Sequence, residues 1–230
     1  AAVQLMSSKV IGIPKDYVKY FGISFETTSP SYYPLECCLV NQLAFITGED
    51  VLFKSTLYSS DIFKLKFSEL TSQKAFMSIQ NAIDEILFAE EEIIKLNNKI
   101  SLIDDRNKKV DDMVTKIDKL KQKIKLTFLR TQNLIISSYF DKAFLNISNL
   151  EDLENYRKKL YTFKSYLGFS EGYTFFDDYY TEKMSQLEHK SNVLENGGIE
   201  TALEFKKPDN LFVSWFRAIK NFVTGEKIHN

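Results

Sequence analysis

The chain is poor in the residues that many enzymes depend on. Only two histidines occur among its 230 residues, His189 and His229. His189 stands between Glu188 and Lys190 on the polar side of a helical pattern, and His229 is the penultimate residue. A solvated surface histidine is the better reading of both, and without a placed histidine no Ser-His-Asp triad can be built. The only cysteines are the neighbours Cys37 and Cys38. A bridge between adjacent residues would close a strained ring, so neither a disulfide framework nor a Cys-type zinc site is available. Two reduced thiols in a strand, made in a reducing cytoplasm, are expected. Four prolines and eight glycines leave few turn signals, which suits long helices. Thirty basic residues offset 31 acidic ones for a net charge of −1, so bulk charge gives no support for a nucleic-acid partner. No run of 18 uncharged apolar residues predicts a transmembrane helix. Ala1 to Lys9 lacks the basic start and apolar centre of a classical signal peptide.

What the chain has is apolar spacing at helical period. Phe76, Ile79, Ile83 and Ile86 form one such series. Val110, Met113, Ile117, Leu120 and Ile124 form a second, and Leu153, Tyr156, Leu160, Phe163 and Leu167 a third. Each series puts one apolar stripe on a helix, and each stripe must be buried against another helix. The expected fold is mainly α: an elongated bundle of long helices with a small N-terminal α/β remnant. The expected division is residues 1–66 for the remnant and 67–230 for the helical part.

Within 1–66, Ala1 to Met6 reads as the tail of a helix and Lys9 to Ile13 as a short β-like run. Asp16 to Phe21 reads as a helical turn, Cys37 to Phe45 as buried strand or short helix, and Val51 to Phe53 as a strand. From Phe67 a helix capped by Ser68 runs to about Ile100. Asp104 to Asn107 is a helix–helix turn or an exposed continuation. A second helix follows from Lys108 to Phe144, and Ser148 or Asn149 caps a third. Gly168 and Gly172 predict a turn or kink. Gly197-Gly198 closes this region, and a last helix over 210–223 gathers Phe212, Trp215, Phe216, Ile219, Phe222 and Val223 on one side.

Other candidate chemistry has a plainer reading. The acidic run Glu90 to Glu92 faces different sides of a helix, so a solvated face is favoured over a metal site. Asp111, Asp112 and Asp118, mixed with lysines between Lys108 and Lys125, form a salt-bridged surface rather than a nucleic-acid stripe. Tyr173, Phe175, Phe176, Tyr179 and Tyr180 read as core or protein interface before ligand pocket. For the Trp215 helix, packing on the bundle is favoured over membrane contact.

Two stretches resemble known families. Tyr33-Pro34, Leu35 to Leu43, Gly48-Glu49, Lys54-Ser55 and Ser60 to Phe63 resemble the end of an α/β-hydrolase lipase-like domain. The family's triad Asp would fall at Glu36 to Cys38 and its His at Ser60, so both catalytic positions are empty here. Its Gly-x-Ser-x-Gly elbow is absent. Leu153 to Phe163, continuing through Gly172 to Phe176 into Met184, Leu187 and Leu194, resembles the LXG-type targeting domains of toxins exported by the type VII system of Firmicutes. The Leu-x-Gly signature itself is missing.

Together the two resemblances imply the type VII lipase toxins of reversed domain order, in which this chain is a non-catalytic targeting and partner-binding module. They imply small helical partner proteins, of the WXG-like or LXG-associated kind, and the secretion machinery, with no cofactor and no metal. They imply synthesis in the cytoplasm and export without a classical signal peptide. The partner-binding residues expected are Leu153, Tyr156, Leu160, Phe163, Phe176, Tyr180, Trp215 and Phe216, since large apolar side chains at seam centres make hot spots. A membrane-active helical toxin component and a cytosolic coiled-coil scaffold are the alternatives.

Overall fold

The computed structural model describes residues 1–103 and 108–196. Eight α-helices and one two-stranded sheet occur among them, so the chain is mainly α with a small N-terminal strand region. The Asp104 to Asn107 stretch, Gly197-Gly198 and the 210–223 helix with Trp215 and Phe216 lie outside the described residues.

Helix α1 (Ala2–Ile11) ends at Gly12, whose φ of +77° lets Gly12 and Ile13 donate back to the Lys9 and Ser8 carbonyls. This left-handed cap is a helix stop, and it corrects the β-like reading of Lys9 to Ile13. Next comes a hairpin, β1 (Asp16–Tyr20) and β2 (Ile23–Thr27), where a helical turn was expected. Phe21 and Gly22 join the strands at φ +48° and +78°. Positive φ at both positions is the turn that matches strand twist. Ile23, Phe25 and Thr27 alternate inward onto the core.

Helix α2 (Pro34–Thr47) runs through the middle of the N-terminal half. All of its residues except Asn41 and Phe45 are buried. Cys37 and Cys38 therefore lie in a central helix, not a strand. Val51 to Phe53 also turns out helical, within α3 (Glu49–Leu57), where Glu49 and Asp50 favour the positive end of the helix dipole. Helix α4 (Ile62–Leu70) contains Ser68, and the cap of the next helix is Ser72, whose Oγ accepts from the Ala75 N–H at 3.1 Å.

Helices α5 (Gln73–Ile100) and α6 (Lys108–Leu145) are the long elements, roughly 42 and 57 Å at 1.5 Å per residue. Lys116 pairs with Glu92 and Lys123 with Glu85. The matched seven-residue steps run in opposite directions, so the helices are antiparallel, with charge pairs flanking the apolar seam. Asn149 caps α7 (Leu150–Phe163) by accepting from the Asp152 N–H at 2.8 Å. A single 3-10 turn, Lys164–Tyr166, opens a bend that leads to α8 (Phe175–Glu195). Gly172 has φ +76°, so the chain turns there. One apolar cluster extends from Leu5 to Leu187. No described helix is long and apolar enough to cross a membrane.

Candidate functional site

The structure places most of the expected partner-binding residues inside the chain's own core. Leu153, Tyr156, Leu160 and Phe163 of α7 are all buried. Phe140 of α6 meets Tyr156 and Phe163 edge-on at 5.7 and 5.4 Å, and Phe144 meets Tyr156 at 5.8 Å. Phe176 is buried and Tyr180 half-buried on α8, their rings 6.0 Å apart. The α7 side chains tie that helix to α6. A partner that meets the folded chain reaches other surfaces first.

Two polar clusters lie deep in the fold, and neither has a helical-period signature. In the first, Gln132 of α6 and Gln42 of α2 are fully buried. Gln132 Nε2 donates to the Gly168 carbonyl at 3.0 Å and to the Tyr173 hydroxyl at 3.0 Å. Its Oε1 accepts from the Gly168 N–H at 2.8 Å and from Gln42 Nε2 at 2.9 Å. One side chain thus satisfies both main-chain groups of the bend and joins it to α2.

In the second cluster, Glu36 of α2 and Glu90 of α5 are 1 % and 9 % exposed. Glu90 was expected on a solvated face. It is instead turned into the fold, where Glu36 acts on it. Both oxygens of Glu36 and Oε1 of Glu90 make no hydrogen bond of ordinary geometry. Burial, and then the neighbouring Glu36 carboxyl, push Glu90 up to about 8. Burial also raises Glu36 and Tyr20. The thiols of Cys37 and Cys38 are pushed by burial to about 11 and about 12, which keeps them protonated and unreactive.

An open, largely apolar concavity lies between the start of α5, the second half of α6 and the start of α8. It measures about 760 Å³. Arg130, Leu134, Ser137, Asp141 and Leu145 line it from α6, spaced 4-3-4-4, so one continuous helix face is presented along it. Ala75 and Ser78 line it from α5, and Phe175 and Tyr179 from α8. A shallower hollow of about 610 Å³ continues along the hairpin from Arg130 through Leu126 and Gln122 to Thr115. The aromatic group around Tyr173 to Tyr180 therefore splits its roles. Phe176 and Tyr179 are core, each 1 % exposed, while half-buried Phe175 is a groove wall.

His189 is half-buried on α8. Ser60, at the position that matches the lipase histidine, accepts a main-chain hydrogen bond from the Ser55 hydroxyl. Among the described residues, no three His, Cys, Asp or Glu side chains are grouped so as to hold a metal. Compared with protein-family models, characterised proteins and solved structures, the chain gives no match.

Proposed function

We propose that this chain is a non-catalytic partner-binding module whose partners are small helical proteins. The observation that carries this reading is the open face of α6 from Arg130 to Leu145, set between α5 and α8. Two helices with a groove between them form a common receptor for a third. The likeness of Leu153 to Phe163 and of the Gly172 to Phe176 bend to LXG-type domains supports a targeting role, in which the complex is delivered to a secretion machine. Burial of Leu153, Leu160 and Phe163 within the chain makes them the frame of the module, and the groove its contact surface.

The test is co-purification of the full chain with small helical proteins encoded beside it, followed by light scattering to give the stoichiometry. A defined complex supports the proposal. A chain that stays monomeric and indifferent to every such protein defeats it. Leakage of liposomes by the purified chain would instead select membrane activity. Serine-inhibitor-sensitive turnover of a short-chain ester would overturn the non-catalytic part.

A further inference from the structure

We infer that the α5–α6–α8 groove receives an amphipathic helix with acidic flanks, presented by a partner protein. The inference rests on the partner-binding reading and names the chemistry of the partner.

Shape is the first argument. The α6 face from Arg130 to Leu145 is roughly 22 Å long, the length of about four helical turns. The residues at its centre are small: Ala75 and Ser78 on one side, Ser137 and Ser138 on the other. Small side chains let a third helix approach at the 8–10 Å typical of packed helices. Leu134, Leu145 and Phe175 supply the apolar contact.

Charge is the second argument, and it chooses the partner. Lys74, Arg130 and Lys142 all line the groove. Lys74 and Arg130 are exposed, and among the described residues neither is seen in an ion pair. Lys142 donates only to main-chain oxygens, those of Glu69 at 2.7 Å and Thr71 at 3.1 Å, so its charge has no carboxylate partner. The one acid in the lining, Asp141, is already satisfied by Lys183 at 2.8 Å and by the Tyr179 hydroxyl at 2.8 Å. The groove also holds the first turn of α5, the positive end of that helix dipole. Two exposed cations without a carboxylate, Lys74 and Arg130, and a positive helix end attract a carboxylate-bearing helix and repel a basic one, while Lys142 is held by the carbonyl end of α4.

The probe is a 15-residue peptide with leucines at i, i+3, i+4 and i+7 and glutamates flanking the stripe. A second peptide carries lysines instead. Fluorescence anisotropy with the full chain should show the glutamate peptide binding at least tenfold more tightly. Lys74→Glu combined with Arg130→Glu should cancel or reverse that order. Ser78→Trp with Ser137→Trp should abolish binding while the circular dichroism spectrum and Tm hold. Equal binding of the two peptides, no binding of either, or binding that survives the tryptophans would overturn the inference. Dodecanoate bound as tightly as the glutamate peptide would make the groove a lipid pocket and overturn it equally. A native small helical partner that still co-purifies with the tryptophan variant would sink the groove while leaving the module reading intact.

Discussion

Replacing Glu90 with Gln should change how stability depends on pH, because Glu90 sits buried beside a second carboxyl. Glu36 faces it from α2, and Tyr20 lies near both from β1. Two carboxylates cannot both ionise in such a place without a large cost. In the folded chain Glu90 holds its proton up to about pH 8, whereas in the unfolded chain it releases it near its ordinary value of 4.5. Between those limits the folded state binds the extra proton, so stability must fall as pH rises. The slope for one proton is about 1.4 kcal/mol per pH unit at most, and sharing within the pair lowers it to on the order of 1. Stability is complete below pH 4.5 and lost as pH climbs through 8. Glu90→Gln mimics the protonated form and cannot ionise. It should match the wild type below pH 4.5, exceed it by about 1 kcal/mol at pH 5.5 and by roughly 3 kcal/mol at pH 8.5. Urea unfolding followed by circular dichroism at pH 5.5, 7 and 8.5 reads this directly. Glu91→Gln, next door and exposed, is the control and should leave the slope unchanged. Parallel pH profiles for wild type and Glu90→Gln, or a wild type that grows more stable from pH 5.5 to 8.5, would refute the argument.

Five other substitutions test the packing. Gln132→Leu strands both main-chain groups of Gly168 and should cost about 2–4 kcal/mol, a fall in Tm of roughly 5–15 °C in a scanning calorimeter. Gly172→Ala should lower stability by on the order of 1 kcal/mol because of its positive φ. Gly168→Ala should cost about 1–3 kcal/mol for a different reason: a Cβ there would lie 2.7 Å from the Phe128 ring and 2.9 Å from Ile23. A rise in Tm for either glycine variant would contradict the bend described. Leu160→Asp places a charge at a fully buried site and should abolish cooperative unfolding, with a cost above about 4 kcal/mol. Tyr161→Asp, at a position 68 % exposed, should stay within about 0.5 kcal/mol.

The long helices were legible because each has one wet face. Val110, Ile117 and Ile124 are buried as their spacing requires, and Lys116, Lys121 and Lys123 pair at the surface. The N-terminal elements were illegible for the opposite reason. Buried on nearly every side, α2 shows no period, and its apolar run looks as much like a strand as a helix. The hairpin hid behind Phe21, an unusual residue for a position that favours Asn or Gly. Glu90 looked solvated because it stands in a run of three acids, and only the placement of α2 turns it inward. Gln42 and Gln132 drew no reading at all, since no local signal marks partners 90 residues apart. The groove combines faces of three helices that are distant in sequence, and its lining carries too few apolar residues to register as a stripe.

The bend that carries Gly168 has a consequence for synthesis on the ribosome. Phe169 closes the free edge of the hairpin through paired main-chain hydrogen bonds with Ser24, at 2.7 and 2.9 Å. Cys38 and Gln42 both reach the carbonyl of Tyr166, the former across 128 positions of sequence. At about 5–20 residues per second, translation delivers that segment roughly 6–25 s after α2. During that interval a helix that is buried on nearly every side in the finished fold and an uncapped strand edge stand without their cover. Both are aggregation hazards. Slowing translation between the codons for Gln42 and Gly168 should therefore lower the soluble yield more than slowing it after the codon for Glu195.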